Sequence, residues 1–245
     1  MVEKMSLVKK LISQIPSDLV VEQAVIGVYL AGVIASNGRM GLATVYPPSH
    51  RQAFPAPKIE PEIKGMPLKY LAEFAGSDHP LESALGVSAL NAGLAPPPDK
   101  IIEKNARELI KEKARDLNLA LIGHFPFTNE VAPLARQCWV VEREPQEDDL
   151  PEEATERVIK DAEVVVITAS TLVNNTLEKI LNWAKDKFVF LVGPSAPFSS
   201  ILFELGVDVI AGAEVLDTED CFSRIMLGYP FRALKKVHKV IWERK

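Results

Sequence analysis

The feature that most constrains this fold is a buried strand that runs directly into a glycine-proline turn, at residues 188–195. Five apolar residues at positions 188–192 are too few for a helix, and they are rich in the β-branched and aromatic side chains typical of a buried strand. A helical spacing of apolar residues follows at residues 201–205, Gly206 ends that helix, and residues 207–210 predict the next buried strand. Such a unit places its loop at the carboxyl end of a parallel strand, where open α/β sheets bind ligands.

The same alternation of buried strand and helix occurs three times upstream, with predicted strands at residues 119–122, 139–141 and 164–167. Strands that alternate with helices predict a parallel sheet covered on both faces, and therefore an α/β fold. We assign this sheet to a domain at residues 99–245. The segment at residues 231–242 is compatible with either a helix or a strand.

The first part of the chain has a different pattern, which predicts a small α+β domain at residues 1–95. Asn37-Gly38 separates β-rich runs at residues 20–35 and 41–46, and this pair predicts a hairpin in which both turn residues have positive φ. A proline-rich loop at residues 47–67 and further helices follow. The sequence APPP at residues 95–98 predicts the linker, because consecutive prolines interrupt regular structure.

Composition excludes several classes of protein. The 245 residues are 47% hydrophobic and 25% charged, and the net charge of −5 is spread over mixed acidic and basic residues, which argues against nucleic-acid binding. No apolar run has membrane-spanning length, and charged residues interrupt the first ten positions, so we expect a cytoplasmic protein rather than a membrane protein. In that compartment Cys138 and Cys221 are expected to stay reduced. A homodimer is a hypothesis at this stage.

Three loops are expected to meet at one edge of the sheet, at residues 123–126, 168–175 and 193–197. Each combines small residues with hydroxyl, amide or ring groups, and unpaired N–H groups at helix starts favour an anion or a polarised oxygen. We place the centre of ligand binding on the loop at residues 193–195. The residues predicted to bind the ligand are Asn91, Gly123, His124, Glu142, Thr168, Ser170, Thr171, Asn174, Gly193, Pro194 and Ser195.

Glu142 lies about 20 residues after Gly123, which is the spacing of the ribose-binding acid in dinucleotide-binding folds. However, the loop Gly123-His124-Phe125-Pro126 lacks the GxGxxG pattern. Pro126 occupies a position where a glycine would let a pyrophosphate approach. The sequence therefore argues against a standard NAD site.

Several candidates also have a purely structural interpretation. His124 is either a ligand or general base at a strand end, or a ring that satisfies a backbone carbonyl. Asp78 and His79 are candidate metal ligands, although Ser77 or Asp78 is also the expected cap of a helix that begins near Pro80. Structural alternatives exist for two further residues, namely a helix N-cap for Ser195 and a helix C-cap for Asn91.

No CxxC, HxxxH or clustered carboxylates provide the spacing of a local metal site. A metal site would have to be assembled across the fold, and His124, Asp78 and His79 are the candidates.

These motifs together resemble the putative heavy-metal chelation family over nearly the whole chain. The segments that carry the resemblance are Leu90-Asn91-Ala92, Ile122-Gly123-His124-Phe125-Pro126, Val141-Glu142-Arg143, Thr171-Leu172-Val173-Asn174, Gly193-Pro194-Ser195, Gly206-Val207-Asp208 and Ala211-Gly212. The resemblance implies an enolase-N-terminal-like first domain packed on a Rossmann-like second domain, with a cleft between them. Two positions depart from the family pattern, namely Asn175 in place of glycine and Ala196 in place of a hydroxyl residue.

Two functional hypotheses follow. In the first, the interdomain cleft binds a small anionic or metal-chelating molecule, with a metal ion or a metal chelate as the bound species. In the second, the protein is an enzyme that acts on such a molecule, with His124 as acid or base and the loop at residues 193–195 as oxyanion site.

Overall fold

The computed structural model of the protein describes residues 5–46, 55–102, 104–146 and 148–245. The first part of the predicted proline-rich loop, residues 47–54, lies outside these ranges. The helices are α1 (Leu7–Ser13), α2 (Leu68–Glu73), α3 (Pro80–Gly93), α4 (Ala106–Lys113), α5 (Thr128–Val131), α6 (Thr155–Asp161), α7 (Ser170–Val173), α8 (Leu177–Trp183), α9 (Ser200–Glu204) and α10 (Thr218–Met226). The strands are β1 (Val21–Ile26), β2 (Leu30–Ala35), β3 (Met40–Thr44), β4 (Ile101–Ile102), β5 (Asn118–Ile122), β6 (Gln137–Glu142), β7 (Leu150–Pro151), β8 (Val164–Thr168), β9 (Phe188–Val192), β10 (Val209–Val215) and β11 (Val237–Glu243).

The strands form two sheets. A small antiparallel sheet has the order β1-β2-β3, and a large sheet of eight strands has the order β4-β11-β10-β9-β8-β5-β6-β7. All neighbours from β10 to β7 are parallel, whereas β11 and β4 are antiparallel additions at one edge. The predicted α/β class with a parallel-rich sheet is confirmed. The ambiguous C-terminal segment contains β11, because it pairs with β10 along that strand's whole length.

Both faces of the large sheet are covered, which explains the continuous apolar runs of its central strands. In β5, Leu119 and Leu121 belong to a buried cluster with α4 and α5, whereas Ala120 and Ile122 belong to a second cluster with α6, α8 and α9. Alternate residues of one strand therefore pack against helices on opposite faces.

The order of the parallel strands reverses between β5 and β8. From β5 the chain continues to β6 and β7 on one side, and it then returns to β8 and continues to β9 and β10 on the other. The connections that follow β5 and β8 therefore diverge. Such a reversal leaves a crevice at the carboxyl ends of the two strands, and ligands of open α/β sheets bind there.

The small sheet corrects two details of the sequence prediction. The run at residues 20–35 contains two strands, β1 and β2, because Gly27 makes a tight turn in which its N–H donates to the Leu30 carbonyl at 2.8 Å. The Asn37-Gly38 turn is present, but of its two central residues only Gly38 has a positive φ, +77°. The loop between Ala35 and Arg39 is longer than a two-residue turn, and it therefore needs only one left-handed residue.

The small sheet packs between two helices that are far apart in sequence. Helix α3 packs against β2 and β3 on one face of the small sheet. On the other face, Cys221 and Ile225 of α10 form a separate cluster with Leu30 and Leu42. A single buried apolar cluster also continues from α1 to α3 into the large sheet. The division into domains at residues 95–98 remains a prediction.

Cys138 on β6 and Cys221 on α10 are both free thiols, which confirms the prediction that they form no disulfide. Among the helices of the described residues, none combines the length and the apolar character needed to cross a bilayer.

Candidate functional site

The crevice between β5 and β8 is closed at its base by a glycine. Ile122, the last residue of β5, is paired with Val141 on one side and with Ile167 on the other, so Gly123 lies between the ends of β6 and β8. Gly123 has φ +108°, its N–H donates to the Val141 carbonyl at 2.8 Å, and a β-carbon here would lie 2.7 Å from Thr168 Cγ2. Only glycine fits this position without displacing its neighbour.

A cavity of about 90 Å³ lies over this crevice and adjoins a wider cleft of about 770 Å³. The inner cavity is lined by five of the predicted site residues, namely Gly123, Glu142, Thr168, Thr171 and Asn174. Further lining residues that the sequence did not predict as site residues are Tyr46, Arg143, Glu152, Lys179 and Trp183. The wider cleft shares part of this lining and adds His124 and Asp78. The structure thus brings the first two predicted loops together at the point of strand reversal.

Glu142 organises the loop after β5 through backbone hydrogen bonds. Its carboxylate oxygens accept from the N–H of His124 and from the N–H of Arg143, each at 2.8 Å. The N–H of Phe125 donates to Thr128 Oγ1 at 3.2 Å. Because the N–H of Gly123 is also engaged, three successive amides of this loop have protein acceptors. The expectation that unpaired amides hold an anion is wrong for this loop.

The loop after β8 is held by its own hydroxyl and amide groups. Thr168 Oγ1 and Ser170 Oγ are 2.8 Å apart, and Thr171 Oγ1 donates to the Thr168 carbonyl at 2.6 Å. Asn174 Oδ1 accepts from the Thr176 hydroxyl at 2.6 Å. Asn175 has φ +61°, the left-handed conformation in which asparagine replaces glycine at modest cost.

Two cations lie beside the inner cavity, each over an aromatic ring. The Arg143 guanidinium is 5.4 Å from the centre of the Tyr46 ring, and Lys179 Nζ is 4.9 Å from that of Trp183. Arg143 also approaches Glu152, with 3.6 Å between Nε and Oε2, but both side chains are about half exposed and the pair is weak. Each cation therefore has a weak ring contact and lines the cavity, where an anionic group can reach it.

Burial raises the pKa of the Tyr46 phenol above its ordinary value, although a hydrogen bond with Ser170 and the charge of Arg143 oppose this shift. The phenol is therefore neutral at physiological pH. It offers a ligand both a donor and an acceptor.

His124 is oriented by a buried carboxylate. Its Nδ1 lies 3.2 Å from Asp149 Oδ2, and the Asp149 side chain is only 5% exposed, compared with 37% for His124. The same oxygen of Asp149 accepts from the N–H of Gln146 at 3.2 Å. This arrangement leaves Nε2 of His124 for a ligand in the wider cleft.

The loop at residues 193–195 connects the large sheet to the small one. Ser195 is fully buried, and its Oγ accepts from the N–H of Thr44 at 2.8 Å. The carbonyl of Pro194 accepts from Asn91 Nδ2 at 3.3 Å, and the same nitrogen donates to the Leu42 carbonyl at 2.7 Å. Neither Ser195 nor Asn91 lines the two cavities described above.

The helix-cap interpretations of Ser195 and Asn91 are both wrong. Helix α9 begins at Ser200 and is capped by Ser199, whose Oγ accepts from the N–H of Ile201 at 3.2 Å, so Ser195 lies too far upstream to cap it. Asn91 lies inside α3 rather than at its end. A role for the loop at residues 193–195 in ligand binding remains a prediction.

The start of α3 also differs from the prediction. Its N-cap is His79, whose Nδ1 accepts from the N–H of Glu82, rather than Ser77 or Asp78. The other ring nitrogen of His79, Nε2, lies 2.9 Å from the Pro55 carbonyl oxygen. Asp78 lines the wider cleft instead.

Glu82 is a buried carboxylate that ties the chain before α2 to the start of α3. It is 3% exposed, and its oxygens accept from the N–H of Lys58 and, at 2.6 Å, from the hydroxyl of Ser77. Burial raises the pKa of this carboxyl, but the two hydrogen bonds outweigh burial and hold the pKa below its ordinary value. Glu82 is therefore ionised and fully engaged within the protein.

The described part of the chain contains no group of three or more His, Cys, Asp or Glu residues placed to hold a metal ion. The two thiols are unsuited as well, because burial raises the pKa of Cys138 to about 11 and that of Cys221 to about 12, and thiolates are the form that binds metals. These residues do not fit an ion held by the protein alone.

Comparison with known proteins agrees with this architecture. Two family models, both described as "Putative heavy-metal chelation", match residues 8–94 and 105–242. The chain belongs to this family. Crystal structures of two family proteins of unknown function, from Desulfitobacterium hafniense and Pyrococcus horikoshii, each cover 97% of the chain with a TM-score of 0.83 and 22% identity. The chain covers 97% and 98% of those proteins, respectively.

A further relative is an uncharacterised protein of Methanocaldococcus jannaschii, 32% identical over 162 residues. The match spans 62% of each chain. These comparisons define the family and the fold, and the site must be argued from its own geometry.

Sequence reasoning missed Tyr46, Arg143 and Lys179 as site residues for different reasons. Arg143 directly follows Glu142 at a strand end, which was a usable signal. Tyr46 and Lys179 come from the end of β3 and from α8, and no local pattern connects them to the crevice.

Proposed function

We propose that the protein binds a small anionic molecule, free or as a metal chelate, in the crevice between the ends of β5 and β8. The observation that carries this proposal is the position of Arg143 and Lys179 beside a cavity at the reversal of strand order. We infer that the large sheet is Rossmann-like, since its strands from β7 to β10 have the doubly wound order. We also propose that residues 1–95 form an enolase-N-terminal-like domain, so that the cleft lies between two domains. The free thiols agree with a cytoplasmic location.

The ligand class follows from the donors that remain available. A dinucleotide pyrophosphate needs backbone amides at the loop after β5, and those of Gly123, His124 and Phe125 are already bonded within the protein. The Glu142 carboxylate would repel an anion at that loop, and with Glu152 it also lines the inner cavity. Side-chain cations must therefore neutralise the ligand. The inner cavity has room for one small group such as a carboxylate, and the wider cleft accommodates the remainder of the molecule.

A metal would enter this cleft already complexed. Because the described side chains do not form a cage, the organic ligand would fill most of the coordination sphere, and its carboxylates would contact Arg143 and Lys179. His124 Nε2 is placed to supply at most one protein ligand from the wall of the wider cleft.

The second candidate function is an enzyme that acts on the same class of molecule. The observation that favours it is the pairing of His124 with the buried Asp149, because a carboxylate that orients an imidazole is a common arrangement of a general base. The loop at residues 193–195 is not used as an oxyanion site in this proposal, since Ser195 is buried against Thr44.

The test begins with native mass spectrometry and elemental analysis of protein purified without added metal and without a His tag. Calorimetric titrations with citrate, nickel citrate and nickel ion then compare wild type with Arg143→Gln. Arg136→Gln is the matched control, because Arg136 lies next to the opposite end of β6 and approaches its own glutamate, Glu163, at the same 3.6 Å.

We expect Arg143→Gln to weaken binding of citrate and of nickel citrate about tenfold or more, and Arg136→Gln to leave binding unchanged. Nickel ion alone should not bind at this site. If a copurified molecule or a probe binds Arg143→Gln with the same affinity as it binds Arg136→Gln, the site lies elsewhere. For the enzymatic alternative, His124→Asn should retain ligand binding and lose conversion of the copurified molecule.

A further inference from the structure

A surface that shares no residue with the lining of the two cavities carries exposed apolar side chains. Val28 and Tyr29 in the turn between β1 and β2 are 59% and 52% exposed, and Met226, Leu227 and Tyr229 at the end of α10 are 65%, 76% and 39% exposed. We call these five residues the α10 patch.

The two halves of the α10 patch are in contact. A β-carbon on Gly27 would lie 2.3 Å from the Ile225 carbonyl oxygen, so the backbone of the turn packs directly on the end of α10. A β-carbon on Gly228 would lie 3.5 Å from Val28 Cγ2. The patch is therefore one continuous surface, although its parts are about 200 residues apart in sequence.

The side chains of the α10 patch are not part of the buried core. Cys221 and Ile225 form the buried side of α10 against the small sheet, and the chain then leaves the helix through Gly228, which has φ +75°. The exposed apolar area of the patch is roughly 500 Å², taking about 150–250 Å² for a fully exposed large side chain. A stable interface buries about 800 Å² on each partner, so the patch alone supplies more than half of one.

An open strand edge adjoins the patch and supplies the remainder. β1 is an edge strand of the small sheet. Its start is covered, because the N–H of Val21 donates to the Met66 carbonyl and the Val21 carbonyl accepts from the N–H of Gly65, but after Val21 no strand of the described residues pairs with its outer side. Ile26, at the end of β1 beside Val28, is 39% exposed. Unpaired backbone groups on an edge strand bind another strand readily.

We propose that the α10 patch and the outer edge of β1 form an interface with a second copy of this chain. An edge strand pairs with its own copy in antiparallel orientation about a two-fold axis, and the adjoining apolar patches then face each other. Two three-stranded sheets would become one sheet of six strands. The inference is independent of the proposed ligand, because β3, whose end leads to Tyr46, lies on the opposite edge of the small sheet.

Sedimentation velocity over a wide range of protein concentration tests this interface with Leu227→Asp and Val28→Asp. Leu216→Asp is the matched control, because Leu216 is also an exposed leucine, at 53%, but lies before the first turn of α10 rather than after its last. We expect a dimer for wild type and for the control. Each patch variant should raise the dimer dissociation constant about tenfold or more.

Hydrogen exchange provides a second measurement that does not depend on a variant. Amides of Ala24 and Ile26 should exchange more slowly in concentrated than in dilute wild-type protein, since pairing would bury them. A wild type that is monomeric at every concentration would overturn the proposal. So would a dimer that persists in both patch variants, or β1 amides whose exchange does not depend on concentration.

Discussion

Gly123→Ala should lower the free energy of unfolding far more than the same substitution at an exposed, unstrained glycine. The position has φ +108°, outside the range that side chains ordinarily adopt, so the methyl group imposes backbone strain of about 1–3 kcal/mol. The new β-carbon would also lie 2.7 Å from Thr168 Cγ2 and 2.9 Å from Thr168 Cβ. Overpacking of a buried contact adds about 1–3 kcal/mol, which gives a total of about 2–6 kcal/mol.

Gly193→Ala separates the two contributions. Gly193 also has a positive φ, +135°, but a β-carbon there would meet only Ala169, at ordinary distances of 3.7 Å to Cβ and 3.8 Å to the backbone nitrogen. Backbone strain is therefore common to both variants, and the steric contact is specific to Gly123. We expect Gly123→Ala to be the less stable variant by about 1–3 kcal/mol.

Urea unfolding followed by circular dichroism and by tryptophan fluorescence measures both free energies of unfolding. The double variant Gly123→Ala with Thr168→Ser should recover part of the loss, because it removes the nearer methyl group while keeping the hydroxyl. Equal destabilisation of the two alanine variants, or no recovery in the double variant, would refute the steric argument at the crevice.

Three further predictions concern the buried polar groups. Ser195→Ala should lower the free energy of unfolding by about 1–3 kcal/mol in urea unfolding, because the N–H of Thr44 loses its acceptor; a loss near zero would contradict the contact. The lowered pKa of Glu82 contributes stability that is present above its unfolded-state pKa and is lost as pH falls through its folded-state pKa. The free energy of unfolding should therefore depend less on acidic pH in Glu82→Gln than in wild type, and identical pH profiles would contradict this. Since burial raises the pKa of Cys138 to about 11 and that of Cys221 to about 12, a thiol reagent at pH 8 should react slowly with native protein and titrate two thiols after denaturation; rapid reaction in the native state would contradict the burial.

The sequence by itself determined the type of most strands and the class of the fold. Apolar runs such as residues 188–192 are too short for a helix and lack the alternation of a half-exposed strand, so a sheet covered on both faces was the consistent solution. The positive φ of Gly38 in the Asn37-Gly38 turn is also a local property of the backbone, and the sequence predicted it. Motifs in sequence order were sufficient to identify the family.

Only the tertiary structure shows which strand ends are neighbours, and the position of the proposed site depends on that. Ligand binding at the loop at residues 193–195 stays a prediction from the sequence. The proposed site rests instead on the reversal of strand order between β5 and β8, and a reversal depends on which strands are neighbours rather than on any single strand. Packing of β3 against the large sheet buried Ser195, and the same packing brought Tyr46 to the cavity. Contacts between distant segments carry no local signal, because each side chain meets its partner only after the sheets and helices have assembled.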